Sequence, residues 1–104
     1  MNENENSYYN PAQLRKFQEH GVIIPDLSSV RIGREVAFDK IAAGSTLQPF
    51  VRINGANTEI QAGANIGLFG PVTLDNSWIG ENAVIGSLGA VTLKDTVVGP
   101  ESIL

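Results

Sequence analysis

The sequence predicts an all-β chain wound into a parallel solenoid of nineteen-residue coils, preceded by one short α-helix. Two observations carry that expectation. Stepping by nineteen from Ile41 lands on Ile60, Ile79 and Val98; six residues beyond these stand Leu47, Ile66, Ile85 and Leu104, and six further Ile53, Val72 and Val91. Every one of those positions is Leu, Ile or Val. Two residues before them stand Ser45, Thr58, Ala64, Gly70, Ser77, Ala83, Gly89, Thr96 and Ser102, all small, with Val51 the one departure. A step of six matches neither the 3.6 of a helix nor the 2 of a long strand. It suits a short strand followed by a corner, three times per coil. The aliphatic residue points inward, the small residue beside it leaves room for the backbone to turn, and each strand pairs with its equivalent one coil later, about 4.8 Å along the axis. Stacking coils then buries a continuous apolar column that no single coil could bury.

Each element follows in order. Residues 1–9, opening with "NENENS", read as a solvated, low-complexity tail. Residues 10–29 hold a helix and an extended link. Asn10 suits the N-cap, Pro11 the first helical position and Gly21 the C-terminal stop, while Leu14 and Phe17 share a face. "VIIPDLSS" continues as an extended segment that Pro25 confines to an edge. Residues 30–104 form the coils. The first turn, around Ile32, Val36 and Phe38, breaks the count and reads as an atypical end coil. The last coil is incomplete at "ESIL", the expectation for a fragment of a longer protein. A plain hexad coil would hold eighteen residues, so the extra residue must sit at one corner. The seven-residue steps Ile53 to Ile60, Val72 to Ile79 and Val91 to Val98 put it near Asn57, Asn76 and Asp95, residue types that tolerate left-handed backbone.

Alternation places Phe50, Phe69 and Leu88 outward at equivalent positions, with Leu74 and Leu93 as a second, shorter outward file. Stacked exposed apolar residues mark an interface. Phe50, Phe69 and Leu88 are therefore expected to join subunits, as a homotrimer for a three-sided prism; the competing expectation is that the N-terminal helix covers one file through Leu14 and Phe17.

Composition excludes several functions. The 104 residues fit one domain, and a net charge of −4 with scattered Lys and Arg speaks against nucleic acid or an anionic membrane as partner. Cys is absent, which removes disulfides, thiolate metal sites and thiol nucleophiles. The N-terminus lacks the layout of a signal peptide, and no apolar run reaches membrane-spanning length. The expected location is the cytoplasm.

"IGENAVIGSLGAV" resembles the hexapeptide repeat of the left-handed β-helix transferases, aliphatic-Gly-x-x-small-x. "LRKFQEHGVIIPDLSSVRIG" is similar to the helix and linker that open the acyltransferase half of the bifunctional N-acetylglucosamine-1-phosphate uridyltransferase/glucosamine-1-phosphate N-acetyltransferase family, and "IAAGSTLQ" resembles its second coil. The similarity covers about residues 12–104. It implies a left-handed winding, a sugar-nucleotide transferase as parent, acetyl-CoA and Mg as the family's cofactors, and a sugar phosphate or nucleotide sugar as substrate. The family's nucleotide loop has no counterpart in this sequence, and its His, Lys, Arg, Tyr and Asn acyltransfer residues lie on later coils. No catalytic or metal residue carries over, and no cofactor is expected on this chain, whose expected role is the β-helical scaffold and trimer contact of such an enzyme. The alternative is a non-enzymatic β-helix that binds another domain through Phe50, Phe69 and Leu88.

Single candidates are few. His20 is the one histidine and so the one imidazole base, but its place at a helix end fits a structural role against the last carbonyls. Lys94-Asp95 in "AVTLKD" is similar to a stretch beside the CoA groove of hexapeptide acetyltransferases, with a solvated corner pair as the plainer reading. Asp26, Glu35, Asp39 and Glu81 show no paired-carboxylate spacing. Gly63, Gly67 and Gly70 in "GANIGLFG" lack the helix that would complete a phosphate loop and read as corners. Trp78 reads as an outward interface residue or corner anchor. Thr58 and Thr96 align with Ser77 between them, so no Thr ladder of the ice-binding kind forms.

Overall fold

A computed structural model describes residues 7–104. The chain is a parallel β-solenoid with three sheets. The first runs β1 (Arg31–Ile32), β3 (Val51–Asn54), β6 (Val72–Asp75) and β9 (Val91–Lys94). The second runs β2 (Thr46–Leu47), β5 (Asn65–Ile66) and β8 (Val84–Ile85), and the third β4 (Glu59–Ile60), β7 (Trp78–Ile79) and β10 (Val97–Val98). All pairings are parallel, each strand bonding to its counterpart one coil away.

Two faces follow the nineteen-residue step. Leu47, Ile66 and Ile85 are register partners, as are Ile60, Ile79 and Val98, and all are buried. The third face corrects the expected register. Val51 pairs with Val72 and Ile53 with Leu74, a step of 21 residues, whereas Val72 pairs with Val91, a step of 19. Ile53 and Val72 are therefore not partners. The cause is an exchange of corner lengths. The corner after β2 holds three residues, 48–50, while its counterparts hold five, 67–71 and 86–90. The next corner compensates, with four residues, 55–58, against two, 76–77 and 95–96. The widened corner at residues 55–58 exists only in the first of these coils.

Leu74 and Leu93 move with that correction. Leu74 is fully buried and Leu93 half-buried against the core. Four-residue strands present both alternate aliphatics, Val51/Ile53 and Val72/Leu74, to the interior, so this face is two residues deep where the others show one.

The small residues before each strand earn their frequency through backbone bonding. Ser45, Thr58 and Ser77 are fully buried. The Thr58 hydroxyl donates to the Asn54 carbonyl at 2.6 Å and accepts from the Ser77 N–H at 3.3 Å; the Ser77 hydroxyl donates to Asp75 O and accepts from Thr96 N–H. Corner amides that no strand partner reaches thus find acceptors inside the column. No buried side-chain polar atom among the described residues lacks a partner. Asn76 (φ +49) and Asp95 (φ +51) turn their two-residue corners through left-handed backbone, as expected. In the four-residue corner that conformation falls to Gly55 (φ +95) and not to Asn57.

Helix α1 (Pro11–Glu19) closes the N-terminal end. Asn10 accepts from the Gln13 N–H and the Gln13 side chain accepts from the Asn10 N–H, a full capping box. Leu14 and Phe17 are buried in the same core as Val30, Ile32 and Val36. Phe17 packs on Phe38 with ring centroids 4.5 Å apart and on Tyr9 at 5.5 Å. The helix covers the end of the column and leaves Phe50, Phe69 and Leu88 open. Replacing Asn10 with Ala removes one side-chain acceptor of the box, and thermal melting should show a loss of about 1 kcal/mol; an unchanged melting temperature would mean that the cap contributes nothing.

Of the residues expected to form a tail, 1–6 lie outside the described residues, while Tyr8 and Tyr9 are bonded to the solenoid. Tyr8 bridges antiparallel to Gly33. The Tyr9 hydroxyl donates to the Val36 carbonyl at 2.7 Å, and burial pushes its pKa above the usual phenol value. The extended link is also more engaged than a connector. Ile23 bridges in parallel to Thr46, adding to the β2 edge, with Val22 and Ile24 buried on either side.

Candidate functional site

The solenoid offers two surfaces with unusual chemistry. The first is the corner between the β2-β5-β8 and β1-β3-β6-β9 sheets. Phe50, Phe69 and Leu88 stand third in their corner segments and are 69%, 71% and 98% exposed, with Leu68 beside them also exposed. They project because the corner is convex: alternation gives their strand neighbours the interior, and Phe50 takes a left-handed φ of +67° to turn outward. The expected exposure of this file holds.

The second surface is the outer face of the β1-β3-β6-β9 sheet. Its outward register file reads Arg31, Arg52, Thr73, Thr92. Arg31 and Arg52 are cross-strand neighbours, and neither lies within ion-pair distance of a carboxylate among the described residues, where the one ion pair joins Lys40 to Glu59 at 3.2 Å. Arg31 Nη1 donates to the Ser28 carbonyl at 3.0 Å. The Arg52 guanidinium stands 5.9 Å from the centre of the Tyr8 ring. Two grooves flank the pair. One, of about 660 Å³, lies towards α1 and is lined by Tyr8, Leu14, Leu27 and Val30 together with both arginines. The other, of about 640 Å³, opens towards Phe50 and Thr73 and includes Asp26. That carboxyl is held below its usual pKa by the Ser28 hydroxyl, 2.6 Å away, and then by the Ser28 amide.

The remaining candidates take up the following positions. His20 is the exposed C-cap of α1; its backbone N–H, not its ring, donates to the Lys16 and Phe17 carbonyls. Lys94 ends β9 as the register partner of Asp75, exposed and with no ion pair among the described residues, and Asp95 turns the corner after it. Glu35 accepts from the Gly55 amide at 2.7 Å, a structural use of its carboxylate. Trp78 sits on the outer face of β7, half-buried between Glu59 and Val97. Gly63 and Gly67 take positive φ at corners. Among the described residues no three His, Asp or Glu side chains gather as a metal set, and no helix is long and apolar enough to cross a membrane.

The structure brings none of His20, Lys94, Asp95 and Trp78 together around a common groove. The Arg31/Arg52 pair went unread in the sequence. Its signal was the fourfold phrase "VRIG", "VRIN", "VTLD", "VTLK", which aligns the two arginines when the strands, and not the nineteen-residue step, set the register.

Compared with known families and proteins, the chain matches no family model, no curated protein and no solved structure. The fold therefore defines its class: a parallel β-solenoid of about nineteen residues per coil with a helical cap.

Proposed function

We propose that the chain is a scaffold of the sugar-nucleotide transferase kind, a β-helical part that joins subunits and carries no chemistry of its own. The exposed file Phe50, Phe69 and Leu88 carries this reading. Three large apolar side chains on one convex corner lose water only by meeting another surface, and burying each contributes roughly 1.5–3 kcal/mol. A trimer suits a three-sided prism, because a corner of one copy can lie against the flat face of the next around a threefold axis. The transferase assignment rests on the helix-and-linker resemblance of residues 14–33 and on the hexads. The rival, a non-enzymatic module that binds a different protein, draws on the same file.

Two measurements test it. Light scattering after size exclusion should give a trimer for the wild-type chain and a monomer for Phe69→Glu, with equal melting temperatures for the unassembled chains because Phe69 is outside the core. A wild-type monomer at tens of micromolar overturns self-association through this corner. Reading the coding sequence beyond Leu104 addresses the enzyme: further coils bearing a His with Lys and Arg support the transferase, and further hexads lacking them exclude it.

A further inference from the structure

We propose that the groove between α1 and the outer face of the β1-β3-β6-β9 sheet binds a small molecule carrying a phosphate monoester on an apolar body, with Arg31 and Arg52 gripping the phosphate. The inference is independent of the scaffold reading, since it rests on a different face of the solenoid.

Like charges placed directly opposite on neighbouring strands repel and cost stability. Among the described residues no carboxylate offsets that repulsion: Lys40–Glu59 is their single ion pair, in a chain with more acidic than basic side chains. Among the described residues the Arg52 guanidinium has no hydrogen-bond acceptor, and Arg31 commits only Nη1, to the Ser28 and Val30 carbonyls. Two planar donor forks carried by neighbouring strands, whose backbones lie about 4.8 Å apart, can converge on one tetrahedral oxyanion. Their joint charge of +2 fits a phosphate monoester, which carries about −1.5 to −2 at neutral pH, better than a singly charged carboxylate.

The choice of groove follows from charge. The outer groove includes Asp26, whose depressed pKa keeps it ionised and repulsive to an anion. Among the described residues no acidic side chain lines the inner groove. Its walls are Tyr8, Leu27 and Val30, with Ser28 as a polar neighbour, and the positive end of α1 opens onto it at Asn10 and Pro11. A volume of about 660 Å³ lies within the usual range for small-ligand sites. The Tyr8 ring, already beside the Arg52 cation, offers a face for an aromatic or aliphatic body. Phosphate held by the arginines and an apolar body laid over Tyr8 and Leu27 would together fill the groove.

The test uses the full chain and phenyl phosphate as probe, with inorganic phosphate and benzoate as comparison probes, followed by amide chemical shifts and calorimetry. Phenyl phosphate should shift the amides of Tyr8, Leu27, Arg31 and Arg52 and bind at least about tenfold more tightly than either comparison probe. Arg31→Gln and Arg52→Gln should each weaken it by about tenfold or more, while the ligand-free melting temperatures stay within a few degrees of wild type, because both side chains are exposed. Arg52→Lys should recover part of the affinity. Equal binding of benzoate overturns the phosphate assignment, equal binding of inorganic phosphate overturns the apolar body, and full affinity in Arg52→Gln overturns the site.

Discussion

Ile66→Asp should leave the chain unfolded or melting far below the wild type. Ile66 is 0% exposed, pairs with Leu47 on one side and Ile85 on the other, and sits in the middle of the column. An aspartate there either buries an unpaired carboxylate or takes up a proton to stay neutral, and in both cases it loses the packing of a large aliphatic side chain. The expected cost is about 4 kcal/mol or more, a large part of the 5–15 kcal/mol that stabilises an ordinary domain. At roughly 4–8 °C per kcal/mol for a domain of this size, circular dichroism should show a fall of at least about 15 °C. An unchanged melting temperature would show that the β2-β5-β8 face does not point Ile66 inward. The substitution also acts on both neighbouring coils at once, so the loss should be cooperative and not confined to one corner.

The second large effect comes from the addition of a single methyl group. In Gly80→Ala the new Cβ would lie 2.5 Å from Pro100 N, 2.7 Å from Gly99 C and 2.8 Å from Pro100 Cα. All three are backbone atoms of the next coil, so no side chain can rotate aside. Gly80 also donates its N–H to the Val98 carbonyl at 2.8 Å, which holds the coils at that spacing. Accommodating alanine would stretch this bond and lift the last coil, at an overpacking cost of about 1–3 kcal/mol, with the rigid Pro100 placing it at the upper end. Hydrogen exchange should localise the damage to the amides of β10 and to Gly80 itself, leaving α1 and β1 protected. By comparison Gly89→Ala meets no atom within 4 Å, although its φ of +153° lies near the edge of the left-handed range. The control should therefore cost less than Gly80→Ala; equal costs would mean that spacing between coils is not what Gly80 protects.

Much of the fold was legible because two of its three faces obey a single number. Leu47, Ile66 and Ile85, and Ile60, Ile79 and Val98, lie nineteen apart in sequence and one coil apart in space. The third face was misread because two corners trade two residues and the sum does not change. An aliphatic stands at both Ile53 and Val51, and again at both Leu74 and Val72, so hydrophobicity alone fits either alignment. Only hydrogen-bond register decides between them, and that depends on corner geometry that composition does not encode. The outward file Phe50, Phe69 and Leu88 survived the misreading because corner residues are exposed in either register. Leu74 did not, because the strand runs on past Val72 where the six-residue count placed a corner, and alternation returns Leu74 to the interior. The arginine pair was hidden by the same error: in steps of nineteen Arg31 falls opposite Phe50, while in the structure it falls opposite Arg52. Tyr8 and Tyr9 were missed for a different reason. A polar run of Asn and Glu dominated the reading of the N-terminus, and two aromatics at its end are too few to set a period.

The constancy of the step between coils also shapes how this chain reaches its fold. Every strand's partner lies 19 or 21 residues away, so no pairing must wait for a distant segment to arrive. Closing a loop of that size has nearly the same entropic cost each time, because the cost grows only with the logarithm of its length. The first pair of coils is the unfavourable event, and at the helical end the rings of Tyr9, Phe17 and Phe38 tie the helix to the first turn of the column. Each later coil then docks on a finished template. Order spreads along the axis by nearest-neighbour addition, like a crystal growing by layers from a seed.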